Sequence, residues 1–360
     1  MHCQMNKMEN SVLKPTSTPP RSGIVCFPFY SSNKLRFLVI LLLTPSVLLG
    51  QSGGSYGFQA LNLVNNARTA ALGGYNVSLT GDLALFGQNP ALLDSTRAGD
   101  AVFMYNPFFA DINALTFQYA ADLRGIGPLA FGLTYIDYGT FNQTDASGAE
   151  MGEFHARDYV LSLGKSHRLG PFVLGSNVKF VHSGIAGFSA NALALDIGGL
   201  YQVPRSNFSA GMAISNVGVI LSDYSGTSVK LPMRVTAGMS FVPEGMPIRF
   251  TLTAHQLLDA QNEFYDKEGS PNFADEVFRR VSIGGEVLLS KNVNFLLGYD
   301  HGRKRELRLE ETAGGAGFSY GFMINFKKYS FRFSRATYHA AGGTSYISLQ
   351  SNLKEMKKLF

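Results

Sequence analysis

Six histidines lie beyond residue 100: His155, His167, His182, His255, His301 and His339. Imidazoles that share a metal ion recur at i, i+2 or i, i+4, and no two of these six stand in that relation. A nucleophilic Ser/His pair would have to arise by contact between separate segments, and no motif marks one. The chain is therefore read as non-enzymatic, without a metal or any other cofactor. Its charges are more informative. Lys179, Asp196, Arg249, Glu286 and Arg332 each stand on the polar side of a run in which apolar and polar residues alternate. A charge placed there is either paired with an inner segment or lines a path for solute.

The runs that carry these charges repeat with period two, the mark of strands whose two faces meet different surroundings. Leu129, Phe131, Leu133 and Tyr135 alternate with Ala130, Gly132 and Thr134; Ile248, Phe250, Leu252 and Ala254 with Arg249, Thr251, Thr253 and His255. Ala316, Phe318, Tyr320, Phe322 and Ile324, and then Tyr329, Phe331 and Phe333, follow the same rule. Fourteen strands are expected, at about 100–106, 112–122, 127–138, 153–165, 171–183, 189–203, 207–217, 230–242, 247–257, 277–290, 292–300, 314–326, 328–338 and 343–351. Their connections alternate between short turns, such as 123–128, 242–247 and 326–328, and longer loops at 139–153, 217–231, 257–277 and 300–315. A soluble β-sandwich also alternates, but it has no reason to gather its tight turns at one end. An up-and-down antiparallel transmembrane β-barrel does, and an even strand number returns both ends to the periplasmic side.

Residues 53–99 do not alternate. Asn65 to Gly74 reads as a short helix stopped by glycine, and Asp82 to Leu93 includes the run Asn89-Pro90-Ala91-Leu92-Leu93. A barrel of fourteen strands is too wide to be filled by its own wall side chains, so this segment is expected to form an N-terminal plug inside it. Ahead of it, Lys34 and Arg36 precede the apolar run Phe37 to Leu43 and the small residues that follow, a secretory signal peptide too short to span a bilayer. Residues 1–33 lack periodicity and are read as a start codon placed too early, the alternative being a disordered extension. The expected divisions are thus a leader at 1–50, a plug segment at 51–99, a barrel at 100–351 and a tail at 352–360.

Within the first fifty residues five cations (Lys7, Lys14, Arg21, Lys34, Arg36) face one carboxylate (Glu9), so the whole-chain charge of +5 falls to +1 without them. The basic pI then says nothing in favour of nucleic acid. Both cysteines, Cys3 and Cys26, lie in the same leader, which leaves an exported chain without disulfides. The remainder has many Phe and Tyr and few charges, as a surface facing outer-membrane lipid requires.

Two loops are candidate contact surfaces. Arg303-Lys304-Arg305-Glu306-Leu307-Arg308-Leu309-Glu310-Glu311 is the densest charge run beyond the leader. It is a solvated loop, or else a surface on which Arg303, Lys304, Arg305 and Arg308 attract a protein partner or acidic lipopolysaccharide sugars. The loop at 257–277 sets Phe264, Tyr265 and Phe273 among acidic residues, a composition suited to a protein interface.

The stretch Tyr56-Gly57-Phe58 through Ala67-Arg68-Thr69-Ala70-Ala71-Leu72-Gly73-Gly74, followed by Asp82, Ala84 and Asn89-Pro90-Ala91, resembles the N-terminal signature of the PorV/PorQ family, barrels similar to the fatty-acid transporter FadL. The resemblance implies a non-enzymatic component of the type IX secretion system attachment complex. Its expected partners are a PorZ-like surface protein held by extracellular loops, a PorU-like peptidase and a PorV-like barrel. FadL-like transport of hydrophobic solutes across the outer membrane is the alternative. One departure stands out: barrels of this kind end on an aromatic residue of the last strand, whereas Phe360 follows a polar tail outside the alternation.

Overall fold

The computed structural model describes residues 57–202, 207–224, 230–258, 273–307, 315–339 and 342–356. The expected signal peptide, both cysteines, Phe264, Tyr265, Arg308 and Phe360 lie outside the described residues. Fourteen strands follow one another: β1 (Asp100–Pro107), β2 (Asn113–Leu123), β3 (Gly127–Thr144), β4 (Glu150–Leu169), β5 (Phe172–Ile185), β6 (Phe188–Gln202), β7 (Phe208–Ser222), β8 (Arg234–Phe241), β9 (Ile248–Ala254), β10 (Val281–Leu288), β11 (Val293–Asp300), β12 (Phe318–Phe326), β13 (Tyr329–His339) and β14 (Gly342–Asn352). Each pairs antiparallel with its sequence neighbours, and β1 pairs with β14 from Asp100↔Asn352 to Tyr105↔Ile347, which closes the barrel. Closure leaves no edge at that seam, the condition for placing strands in lipid.

The period-two pattern decides which face meets lipid. Phe131, Leu133, Leu161, Leu163, Leu174, Val178, Ile197, Met212, Leu252, Ile283, Phe295, Tyr320, Phe331 and Leu349 are all exposed on the outer face. A continuous apolar surface of this extent around a closed wall is what hydrocarbon would cover. Near the short turns, aromatic neighbours pair across strands: Phe172 with Tyr201 and Phe241 with Phe250. Lys327 and Lys328 lie over the rings of Phe326 and Tyr329 at the same end, so apolar rings and cations sit together where the hydrocarbon gives way to headgroups.

Strand lengths are uneven. β3 and β4 run for 18 and 20 residues, whereas β8 to β11 have 7 or 8. About 9–11 residues suffice to cross a bilayer, so β3 and β4 extend past it at the long-loop end. Two of the expected loops contain helices, and the strands expected from 277 and 314 begin later, at Val281 and Phe318. Helix α2 (Phe273–Arg279) precedes β10, and helix α3 (His301–Leu307) follows β11. Ala316, placed by periodicity on the outward face, is buried ahead of β12.

Residues 57–99 form an inner layer of turns around helix α1 (Ala67–Ala71). Asn66, Asn76, Asp82, Asn89 and Asp94 each accept a backbone N–H two residues ahead, so five Asx side chains start the successive turns. Ala71, Leu72, Leu83, Leu85 and Phe86 are almost completely buried. The layer lies so close to the wall that inward positions are glycine. A Cβ at Gly175 would strike the backbone of Pro90, one at Gly198 the Asn89 amide, one at Gly211 the Val77 carbonyl and one at Gly298 the backbone of Gly73.

Two adjacent positions separate the two surfaces. Leu297 is 54% exposed toward lipid, while Gly298 faces the inner layer. Leu297→Arg is expected to cost about 2–4 kcal/mol at mid-bilayer and to lower the folded fraction seen as heat-modifiable mobility on gels. Gly298→Val should keep that mobility but push Leu72 and Gly73 off the wall, so that limited proteolysis cuts within 57–99 where the wild type resists. Equal loss of folded barrel in both variants would mean that the inner layer is inseparable from the wall.

Candidate functional site

The inner layer is held by charges that are fully buried. Glu286 on β10 accepts from Arg68 Nη2 at 2.7 Å, from Arg249 Nη1 at 2.6 Å and from Asn294 Nδ2 at 2.7 Å. Arg68 belongs to α1, so its contact ties the inner layer to the wall. Asp82, also in the inner layer, lies 4.0 Å from Arg68 Nη1 and 3.4 Å from Arg332 Nη1. Arg332 Nη2 donates to Gln350 at 2.7 Å, and Gln350 donates to Asp100 at 2.6 Å. Cations and carboxylates thus alternate across the lumen. Arg249, Glu286 and Arg332 stand on the inward face, as alternation predicts. Arg68 and Asp82 were not among the charged candidates, although Arg68 is the one charge in 57–81 and a buried plug charge needs a wall partner.

Lys179 and Asp196, the other inward pair, meet at 2.7 Å. Lys179 also donates to Asn216 Oδ1 at 3.0 Å, and the Asn216 N–H donates to Asp196 at 2.9 Å. The register between β6 and β7 slips here, between Leu195 and Ile197, and Asn216 takes φ +63°, a left-handed conformation that Asn tolerates. Asn216 then reaches the inner layer through Asn62 at 3.2 Å. This pair is a clasp for a bulge.

The Asn89-Pro90-Ala91 motif has a similar role. The Asn89 side chain accepts from the Ala91 N–H at 2.9 Å and donates to the carbonyls of Val77 at 2.8 Å and Gly199 at 3.1 Å. One fully buried amide therefore caps its own turn and binds the wall at β6. Pro90 occupies the first position of that turn, where its missing N–H costs nothing.

At the long-loop end the inner layer leaves a cavity of about 270 Å³, walled by Leu63, Val64, Tyr75, Phe108, His255 and Tyr338 with Asp300 and Arg303. Tyr75 and His255 stack at 3.9 Å between centroids. His255 Nε2 is 2.9 Å from Asp300 Oδ2, at ion-pair distance but off the line of a hydrogen bond. Asp300 Oδ1 accepts the Arg303 N–H at 2.6 Å. Arg303 does not face solvent, as expected of a loop cation: α3 turns it inward, where it is 9% exposed and its guanidinium lies 4.6 Å from the Tyr338 ring centroid. Sequence spacing cannot show the His255/Asp300 contact, because it joins the ends of two strands that are not neighbours.

The remaining loop candidates divide. Arg305 is exposed and donates to Asp275 at 3.1 Å, which also accepts from Arg279 at 2.8 Å and lies 3.0 Å from His301 Nε2. These contacts join α2 to α3. Burial pushes the Asp275 carboxyl pKa up, and hydrogen bonds from His301, Arg305 and Arg279 outweigh it, holding it at about 2. Lys304 is half-buried, and Phe273 is 82% exposed at the start of α2.

A closed fourteen-stranded antiparallel barrel with an apolar outer face, a charged interior and an amphipathic cavity at its long-loop end is an outer-membrane β-barrel. Neither a protein-family model nor a curated protein sequence matches the chain. Among solved structures it is similar to the toluene transporter TbuX of Ralstonia pickettii, with 14% identity and a TM-score of 0.48 over 81% of this chain and 99% of that one. A TodX monoaromatic hydrocarbon channel mutant gives 11% and 0.46 over 79% and 96%. A Pseudomonas aeruginosa FadL homologue gives 10% and 0.46 over 80% and 98%.

Glu286→Ala would leave Arg68 and Arg249 without their shared counter-charge. Breaking a buried pair from one side costs about 3–5 kcal/mol, to be read as a lower urea midpoint of the refolded protein. Exposed Arg305→Ala should move the midpoint by about 1 kcal/mol or less.

Proposed function

We propose that this protein is a gated outer-membrane channel for small hydrophobic or amphipathic molecules, with residues 57–99 as the gate. The observation that supports it is the position of the cavity: rings and aliphatic side chains line it at the long-loop end, directly above an inner layer clamped to the wall. A solute that enters from outside is desolvated there and goes further only when the layer shifts. In this reading the long loops face the cell exterior and both termini of the chain face the periplasm.

A second reading keeps the barrel as an anchor. The exposed Phe273, Val277 and Phe278 of α2 form an apolar patch at the loop end, of the kind that binds protein partners. In that role the protein would be a PorQ-like member of a type IX secretion attachment complex, holding a PorZ-like protein beside PorU-like and PorV-like components.

A disulfide separates the two. The Ala67 N–H donates to Ser348 Oγ at 3.3 Å, so Ala67→Cys with Ser348→Cys places two thiols across the layer and β14. The described residues contain no other cysteine. Cells that carry the protein in their outer membrane should take up labelled toluene several-fold faster than cells without it. Oxidation of the double-cysteine variant should abolish the gain, and a reductant should restore it. Uptake that ignores both the protein and the crosslink, with a surface protein lost when the chain is deleted, would replace the channel reading by the anchor reading.

A further inference from the structure

The arginines near the cavity are not held in direct ion pairs as those deeper in the lumen are. Arg68, Lys179, Arg249 and Arg332 each have a carboxylate within ion-pair distance. Arg303 and Arg234 have none among the described residues, although they are 9% and 8% exposed. Arg303 Nη2 donates to the Gly73 carbonyl at 3.2 Å, and its Nη1 meets no acceptor. Both oxygens of Asp300 are turned elsewhere, one to the Arg303 main-chain N–H and the other toward His255. Arg234 lies 5.4 Å from the ring centroid of Tyr75, a cavity residue, with an Nε that is likewise without an acceptor. A guanidinium taken out of water without a counter-ion is costly, and a carboxylate meeting its fork is the geometry that offsets the cost.

The shape of the cavity indicates what carries the charge. Tyr75, Phe108, Tyr338 and His255 present rings, and Leu63 and Val64 close the apolar side. An apolar cavity of about 150 Å³ holds benzene, so one of about 270 Å³ has room for a substituted ring together with its carboxylate. A cationic ligand would be repelled by Arg303, and a neutral one would bring no charge to offset it.

We propose that the cavity is a binding site for small aromatic monocarboxylates, benzoate being the simplest, in which Arg303 grips the carboxylate and Tyr75, Phe108 and Tyr338 enclose the ring. The proposal rests on the channel reading above and gives it a substrate class. The head group is recognised at the entrance, before the inner layer is reached.

Calorimetry on the exported protein in detergent, with benzoate and its neutral analogue benzyl alcohol as probes, tests it. Benzoate is expected to bind about tenfold more tightly than benzyl alcohol, the gain of a charge-assisted hydrogen bond. Arg303→Gln should bring the two probes to equal affinity, and Arg303→Lys should keep part of the preference. Heat-modifiable mobility checks that each variant is folded. If Arg303→Gln does not fold, the wild-type preference and its reduction in Arg303→Lys decide. Binding of benzyl alcohol with no preference for benzoate, or a preference that survives Arg303→Gln, overturns the carboxylate site and leaves the channel reading standing. Failure of both probes to bind removes the cavity as a solute site, and both readings fall with it.

Discussion

Glu286 is wholly buried and carries a charge that the interior of a barrel tolerates only when it is met on several sides. Arg68, Arg249 and Asn294 supply those contacts, and only Arg68 comes from outside the wall. Arg68 thus shares Glu286 with Arg249 of the wall, and the shared carboxylate ties the inner layer to β10. Asp82 extends the dependence to Arg332 and, through Gln350, to Asp100, the first residue of the barrel. If the layer moved away, Arg332 would lose the one carboxylate it has among the described residues, a stronger constraint than the apolar contacts of Leu72 or Phe86 alone, since an uncompensated buried charge is among the most costly defects a fold can carry.

Packing follows from the same arrangement. Fourteen strands enclose more space than wall side chains fill, so the interior needs a second layer, and that layer can approach only where the wall has no side chain in the way. Gly175, Gly198, Gly211 and Gly298 mark the places where turns of 72–91 lie directly on strand backbones. Backbone groups of the inner layer that would otherwise be stranded find wall partners: Gly73 donates to Ser319 and Ser209 donates to the Ser78 carbonyl. The layer ends below the long loops, and the cavity is the volume left above it.

Much of the wall could be read from periodicity, because each of the fourteen strands has one face in lipid and one turned inward, and a two-residue repeat records that directly. The inward placement of Lys179, Asp196, Arg249, Glu286 and Arg332 followed from the same repeat. The inner layer was legible as a segment but not in its contacts. Asx residues that cap turns and charges that cross to distant strands carry no spacing signal. Periodicity also failed at the long-loop end. Arg303 belongs to a charge-rich run that reads as solvated, yet α3 rotates it into the cavity, and His255 meets Asp300 because β9 and β11 flank the same strand, β10. The Asn89-Pro90-Ala91 motif was conspicuous in the sequence, and its work is structural: it caps a turn and binds β6.

The claim on which the rest depends is that buried ion pairs keep residues 57–99 across the lumen. Ion conductance through single barrels in a planar bilayer measures this most directly, comparing wild type with a variant in which Arg68→Ala and Asp82→Ala remove the charges of the inner layer together. The account predicts a wild-type barrel that stays closed to salt and a variant that opens in large, fluctuating steps as the layer detaches. Steady conductance by the wild type, or a folded variant as silent as the wild type, would contradict it.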